Sequence, residues 1–162
     1  MPFKKKLTHN FDKETVAKAA DLISNCYYST EAFVDFFMKD SPENSFMVPT
    51  RNHMVIRDVP EFQSDMFTKL DELNENGGRL AIASPRGFMK STTCSVEFPL
   101  KCALYKSFKE ILIVSNSEAL AITFLRSIKT NYESNERIHR YFGKLWSDKW
   151  TESHLITKDK VS

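Results

Sequence analysis

The sequence predicts an α/β protein with an N-terminal helical extension and an incomplete parallel sheet. Two short apolar runs, residues 80–83 and 111–114, have the length of strands that are buried on both faces. Each run is followed by a segment with helical periodicity, so the middle of the chain is predicted to be a βαβ unit with a further helix. Only two strands follow this pattern, and two strands are too few for a complete sheet.

Helical patterns dominate the chain before the first apolar run. Asp12 is a predicted N-cap, a second helix is expected to start after Ser29, and Pro60 suits the first turn of a third. Gly77 and Gly78 end that third helix and are free to take a positive φ. The three predicted core-facing stripes are Val16, Ala19, Ala20 and Ile23; Phe33, Phe36 and Phe37; and Phe62, Met66, Leu70 and Leu73.

The remaining elements follow the two apolar runs. A helix is predicted from Lys90 to about Tyr105, and Pro99 inside it should kink it or split it in two. Asn116 or Ser117 can cap the next helix. A strand is predicted around residues 154–156. These patterns divide the chain into an N-terminal helical region at residues 1–53 and a partial α/β domain at residues 54–162.

Composition narrows the function classes without choosing one. The 162 residues suffice for one domain, and the net charge of +2 does not indicate a nucleic-acid-binding protein. The three cysteines lack metal-ligand spacing and are expected to be reduced thiols. No apolar run approaches the roughly 20 residues of a membrane span, and the basic start is not a secretory signal, so no membrane role is expected.

One motif carries recognisable chemistry. It consists of Ser84, Pro85, Arg86, Gly87, Phe88, Met89, Lys90, Ser91 and Thr92. It lies between a predicted strand and a predicted helix, which is the context of a phosphate-binding P-loop. Backbone N–H groups of such a loop surround a polyphosphate, and the ammonium of Lys90 would neutralise its β- and γ-phosphates. Ser91 would ligate Mg²⁺, and Thr92 would lie on the α-phosphate side. The motif therefore predicts a P-loop NTPase-like core that binds ATP and Mg²⁺.

Two positions depart from the usual P-loop pattern. Ser84 stands at the first glycine and Met89 at the second. Because methionine is large, Met89 is expected to point away from the nucleotide and to keep a negative φ. The alternative interpretation of the whole motif is an ordinary helix start after a loop.

The motif resembles the ATP-binding loop of phage terminase large subunits. A Ser-Pro-Arg-Gly loop that leads into Lys-Ser-Thr after a short apolar strand is similar to that family, and so is a proline about this far into the following helix. Residues 111–118, a predicted strand that runs into a helix, also resemble it. Residues 57–63 resemble the upstream element that holds adenine. The resemblance covers about residues 55–157.

The resemblance implies further roles. Arg86 would lie near the γ-phosphate as an arginine finger or sensor, and residues 85–89 would supply backbone donors. Gln63 would hydrogen-bond the adenine edge, with Phe62 or Pro60 nearby. Two alternatives remain open: Arg86 as a solvated loop residue, and Gln63 as an exposed polar residue on an amphipathic helix.

The function implied is that of an ATPase that packages double-stranded DNA into procapsids. Its expected partners are DNA, the portal and the small terminase subunit, in a ring of copies within the host cytoplasm. No apolar strand that ends in paired acids follows residue 118, and no nuclease domain is present, so this piece alone is expected to be inactive. The alternatives are a nucleotide-independent module that complements a separate C-terminal chain or the small subunit, and a helicase-like P-loop ATPase.

Overall fold

The computed structural model describes residues 13–38, 47–49, 54–56 and 59–157, and it is nearly all helical. The helices are α1 (Lys13–Tyr28), α2 (Thr30–Phe37), α3 (Glu61–Asn76), α4 (Lys90–Thr92), α5 (Phe98–Tyr105), α6 (Glu118–Ser134) and α7 (Glu136–Phe142). The strands are β1 (Met47–Pro49), β2 (Met54–Ile56), β3 (Trp146–Trp150) and β4 (Leu155–Thr157). Among the described residues they form two antiparallel pairs, β1 with β2 and β3 with β4, with Met47 opposite Ile56 and Trp146 opposite Thr157. None of these helices is both long enough and apolar enough to cross a membrane.

The predicted α/β fold with a parallel βαβ core is wrong. Residues 80–83 and 111–114 are extended but form no strand, and within the described part of the chain no backbone hydrogen bond joins them to another segment. Leu112 is 88% exposed and Val114 is 80% exposed, whereas Ile111 and Ile113 are half-buried. A strand needs a neighbour to satisfy its backbone groups, so an apolar run alone does not make one.

A single continuous helix runs over residues 90–105, with the bounds that the sequence predicts. It is made of α4, a π-helical turn (Thr93–Glu97) and α5. Pro99 lies in the first turn of α5, where the missing N–H and the bulk of the ring disturb the turn before it. A π-helical turn precedes Pro99, so the irregularity that the proline predicts takes the form of a widened turn within one helix.

Local capping follows the sequence closely. Ser29 caps α2 by accepting a hydrogen bond from the N–H of Ala32 at 3.1 Å, and Ser117 caps α6 by accepting one from Leu120 at 3.3 Å. Gly77 ends α3 with a φ of +69°, in the conformation expected of a glycine there. The predicted cap Asp12 lies outside the described residues.

The buried face of α3 is turned slightly from the predicted one. Met66 and Leu70 are buried as expected, but Phe62 and Leu73 are only half-buried. Gln63 and Phe67 take their places in the interior.

Aromatic side chains join the first helices to the later ones in one core. Phe37 of α2 packs against Phe142 of α7 with ring centroids 5.5 Å apart, and Tyr105 of α5 contacts the same Phe142 ring at 5.1 Å. Phe33 is fully buried between them and lies 6.2 Å from Tyr105. Residues of α1, α3, α6 and β4 complete this cluster.

A buried ion pair joins three of these helices. Lys101 of α5 is 1% exposed, and its Nζ donates to Asp71 Oδ1 of α3 at 2.6 Å and to Thr30 Oγ1 of α2 at 3.0 Å. The backbone N–H of Thr30 donates to the other carboxylate oxygen of Asp71 at 2.7 Å. Every charge in this cluster therefore has a hydrogen-bonded partner, as a buried ion pair requires. These hydrogen bonds therefore link α3 to α5.

Candidate functional site: a loop folded over the start of a helix

The predicted phosphate-binding residues lie on a loop and the helix start that follows it, and the side chain of Lys90 spans the loop. Residues 84–89 lead from the extended segment 80–83 into the helix at Lys90. The Lys90 side chain reaches back across the loop, and its Nζ donates to the carbonyl oxygen of Ser84 at 3.2 Å. No carboxylate pairs with Lys90 among the described residues. The structure thus brings the two ends of the motif together around an uncompensated positive charge.

Two residues of this loop have left-handed backbone conformations. Gly87 has a φ of +87°, and a Cβ added there would meet nothing within 4 Å. Met89 has a φ of +54°, so the expectation of a negative φ is wrong. The backbone at Met89 takes the conformation that a glycine favours, at a cost of about 1–2 kcal/mol for a residue with a side chain. Packing of the Met89 side chain against the hydrophobic core helps to offset that cost.

The other loop residues differ in exposure. Pro85, Arg86, Phe88 and Ser91 are exposed, whereas Ser84 and Thr92 are half-buried. Arg86 makes no hydrogen bond or ion pair within the described part of the chain, so both of its predicted roles remain open. The hydroxyl of Ser84 is buried and has no hydrogen-bond partner among the residues that the structure describes, which leaves a polar atom unsatisfied at the base of the loop.

The residues around the loop offer little to a metal ion by themselves. No group of three or more histidine, cysteine, aspartate or glutamate side chains is placed to hold a metal within the described ranges. Ser91, in the first turn of the helix, is the predicted ligand and supplies one hydroxyl. Mg²⁺ takes six oxygen ligands, so most of its ligands would have to come from phosphate and water.

Gln63 is enclosed in the protein, and its contact with an adenine edge stays a prediction. It is 0% exposed, so the alternative of an exposed polar residue is wrong. Its Nε2 donates to Thr93 Oγ1 at 3.2 Å, and Thr93 opens the π-helical turn beyond the loop. Its Oε1 is buried without a hydrogen-bond partner. Gln63 therefore connects α3 to the helix of the loop from inside the protein.

An aromatic contact beside the loop was missed at the level of sequence. Phe88 of the loop packs on Phe62 of α3, with ring centroids 4.5 Å apart and ring planes inclined by 50°. The motif predicts only a backbone donor at Phe88. The available signal was an aromatic residue within the loop itself, together with a second one in the first turn of the preceding helix.

The thiol nearest to the site belongs to Cys94, one turn after Lys90. Burial is the main cause that raises the pKa of Cys94, and the charge of Glu97 raises it further. The positive charge of Lys90 acts in the opposite direction. Cys94 is therefore held as a neutral thiol beside the loop.

No protein-family model matches the chain, and neither a curated protein nor a solved structure is similar to it at a significant level. The likeness to terminase large subunits consequently rests on the motif residues and their order alone. It stays a prediction.

Proposed function

We propose that residues 84–92 bind the triphosphate of ATP, as the nucleotide-binding part of a terminase-type motor that packages double-stranded DNA. The observation that carries the nucleotide proposal is the placement of Lys90. Its ammonium group lies over the loop, has no carboxylate partner in the described structure, and already bonds an oxygen of the loop at 3.2 Å. The motor assignment rests on the resemblance of the motif.

The chemistry of binding follows from the start of the helix. The first N–H groups of the continuous helix at residues 90–105 have no partner within the helix, and the helix dipole favours negative charge at this end. A phosphate oxygen would replace the Ser84 carbonyl as the acceptor for Lys90. Bound Mg²⁺ would screen the charge of the triphosphate, with Ser91 as the residue that holds it. Arg86 is exposed on the loop, from which it would extend to the γ-phosphate.

Binding without turnover is expected of this chain. A hydrolase of this kind needs an acidic residue that orients the attacking water. No apolar strand that ends in paired acids follows residue 118 in this sequence, so the chain alone is expected to lack that residue. The complete motor would add the acids together with the DNA, portal and small-subunit contacts, in a ring within the host cytoplasm. Multiple turnovers by the purified chain would contradict this part of the proposal.

Calorimetric titration of the chain with Mg·ATP tests the proposal. Lys90→Ala should abolish saturable binding, because it removes the one side-chain charge that reaches across the loop. Lys109→Ala is the matched control, since Lys109 is an exposed lysine outside the loop and should leave binding unchanged. The proposal fails if folded wild-type protein does not bind, or if the two variants bind equally well.

A second candidate is a module that pairs with a separate chain, and the exposure of residues 111–114 favours it. Leu112 and Val114 face solvent, and a groove of about 200 Å³ lined by Ile111, Ile113 and apolar residues of α6 lies beside them. Exposed apolar side chains and unpaired backbone groups together are typical of an edge to which an extended segment adds. Amide hydrogen exchange tests this candidate: residues 111–114 should exchange fast in the chain alone and become protected by the complementary chain. Protection in the chain alone would contradict it.

A further inference from the structure

We infer that the loop binds nucleoside triphosphates without selecting the base, and that the base stacks on the Phe62–Phe88 pair. This inference rests on the proposed function, since it concerns the other end of the same ligand. Phe88 is then a binding residue, and Gln63 does not contact the base.

The first step is that Gln63 is not available to read a base. Hydrogen-bonding a base edge requires an amide that solvent and ligand can reach, but Gln63 is 0% exposed. Its donor Nε2 is already committed to Thr93 at 3.2 Å. Strong discrimination between similar ligands comes from polar groups of the site that only one of them satisfies. Its acceptor Oε1 has no hydrogen-bond partner among the described residues, but it is buried as well, so a base outside the protein reaches neither group of the amide.

The second step is that the loop presents an aromatic surface. Phe88 lies two residues before Lys90 and is 38% exposed, and its ring rests on Phe62 at 4.5 Å. That contact holds Phe88 in place, since Phe62 lies on the first turn of α3. An aromatic face stacks on any base, because every base has a π-face, and the contribution is similar for purines of either kind. Adenine and guanine are therefore expected to bind alike.

The phosphates and the base of the ligand would contact different residues of the site. Lys90 and the helix start bind the phosphates, whereas Phe88 would contact only the base. Inorganic tripolyphosphate has the phosphates without the base, so it separates the two contributions. Its affinity reports on the proposed function, and the gain in affinity from tripolyphosphate to ATP or GTP reports on this inference.

The experiment measures the affinities of Mg·ATP, Mg·GTP and Mg·tripolyphosphate for the wild type, Phe88→Ala and Phe108→Ala. ATP and GTP should bind within about 3-fold of each other and at least about 5-fold more tightly than tripolyphosphate. Phe88→Ala should remove that gain for both nucleotides and leave tripolyphosphate unchanged. Phe108→Ala is the control, because Phe108 has a similar exposure of 42% but lies outside the loop.

Three results would overturn the inference while leaving the phosphate site intact. ATP and GTP affinities that differ by about 100-fold or more would show that polar groups read the base. Nucleotide affinities that survive Phe88→Ala would show that the base does not stack there. An equal loss of tripolyphosphate binding in Phe88→Ala would show that Phe88 only shapes the loop; Phe88→Leu, which keeps an apolar side chain, should then restore it. If tripolyphosphate itself does not bind in a Lys90-dependent way, the proposed function fails and this inference fails with it.

Discussion

The helices around the buried Lys101 and the extended segment 111–114 are both rich in apolar residues, yet only the helices form a closed interior. Leu100 of α5 is 0% exposed, whereas Leu112, twelve residues later, is 88% exposed. A helix satisfies its own backbone hydrogen bonds and needs partners only for its apolar face. An extended segment needs a neighbouring strand for its backbone as well. A similar apolar content therefore produces a stable helix or strand only where the backbone N–H and C=O groups also have hydrogen-bond partners.

The largest change in the free energy of unfolding is expected when the buried ion pair of the helical region is removed. Lys101→Ala should lower the free energy of unfolding by about 3–5 kcal/mol, because it leaves the carboxylate of Asp71 with no cation in a largely buried position. Urea denaturation followed by circular dichroism measures the change.

The matched control for this variant is Lys69→Ala. Lys69 pairs with Glu72 at 2.9 Å on the exposed surface of α3, so its loss should change stability by no more than about 0.5 kcal/mol. Equal losses in the two variants would mean that the Lys101 cluster does not hold the helices together.

Leucine-to-alanine substitutions at one buried and one exposed position test the comparison directly. Leu100→Ala should cost about 2–5 kcal/mol in the free energy of unfolding, because it leaves a cavity in the core. Leu112→Ala should change stability by less than about 0.5 kcal/mol, because the Leu112 side chain is already in water. The same urea titrations decide the question. A large loss of stability for Leu112→Ala would show that the segment is buried in solution, as it would be if two copies of the chain paired there.

The helix caps are expected to contribute less to stability than Lys101 or Leu100. Ser29→Ala should destabilise the protein by about 1 kcal/mol, since the Ser29 hydroxyl accepts from Ala32 at 3.1 Å next to the core. Ser117→Ala, whose bond is 3.3 Å long and exposed, should cost less, about 0.5 kcal/mol. Thermal unfolding of the two variants measures the difference. A larger loss at Ser117 would indicate that the start of α6 is better ordered than its exposure suggests.

The sequence predicts local features of this protein well and long-range ones poorly. It predicts the helix at residues 90–105, the helix start after Ser29, a cap at Asn116 or Ser117, and the glycine end of α3, all of which the structure confirms. These features depend on residues a few positions apart. The parallel sheet is wrong because pairing joins segments that are distant in sequence, and an apolar run of four residues does not specify its neighbour.

The candidate site shows the same division. The motif predicts a loop that leads into a helix at Lys90, because these features depend on neighbouring residues, but it does not predict the bond from Lys90 to the Ser84 carbonyl. The left-handed Met89 was not foreseen, since packing of its side chain on the core is a contact with distant residues.

The sequence by itself therefore determined most of the helices, two of their starts and the loop before Lys90, but not α7, because propensity, capping and motif spacing act over one or two turns. Only the tertiary structure decided that residues 80–83 and 111–114 pair with no other described segment, that Gln63 is enclosed against Thr93, and that Phe88 rests on Phe62. Each of those outcomes depends on which distant segment lies next to which. The packing of the whole core sets which segments are neighbours, and no short sequence pattern encodes that packing.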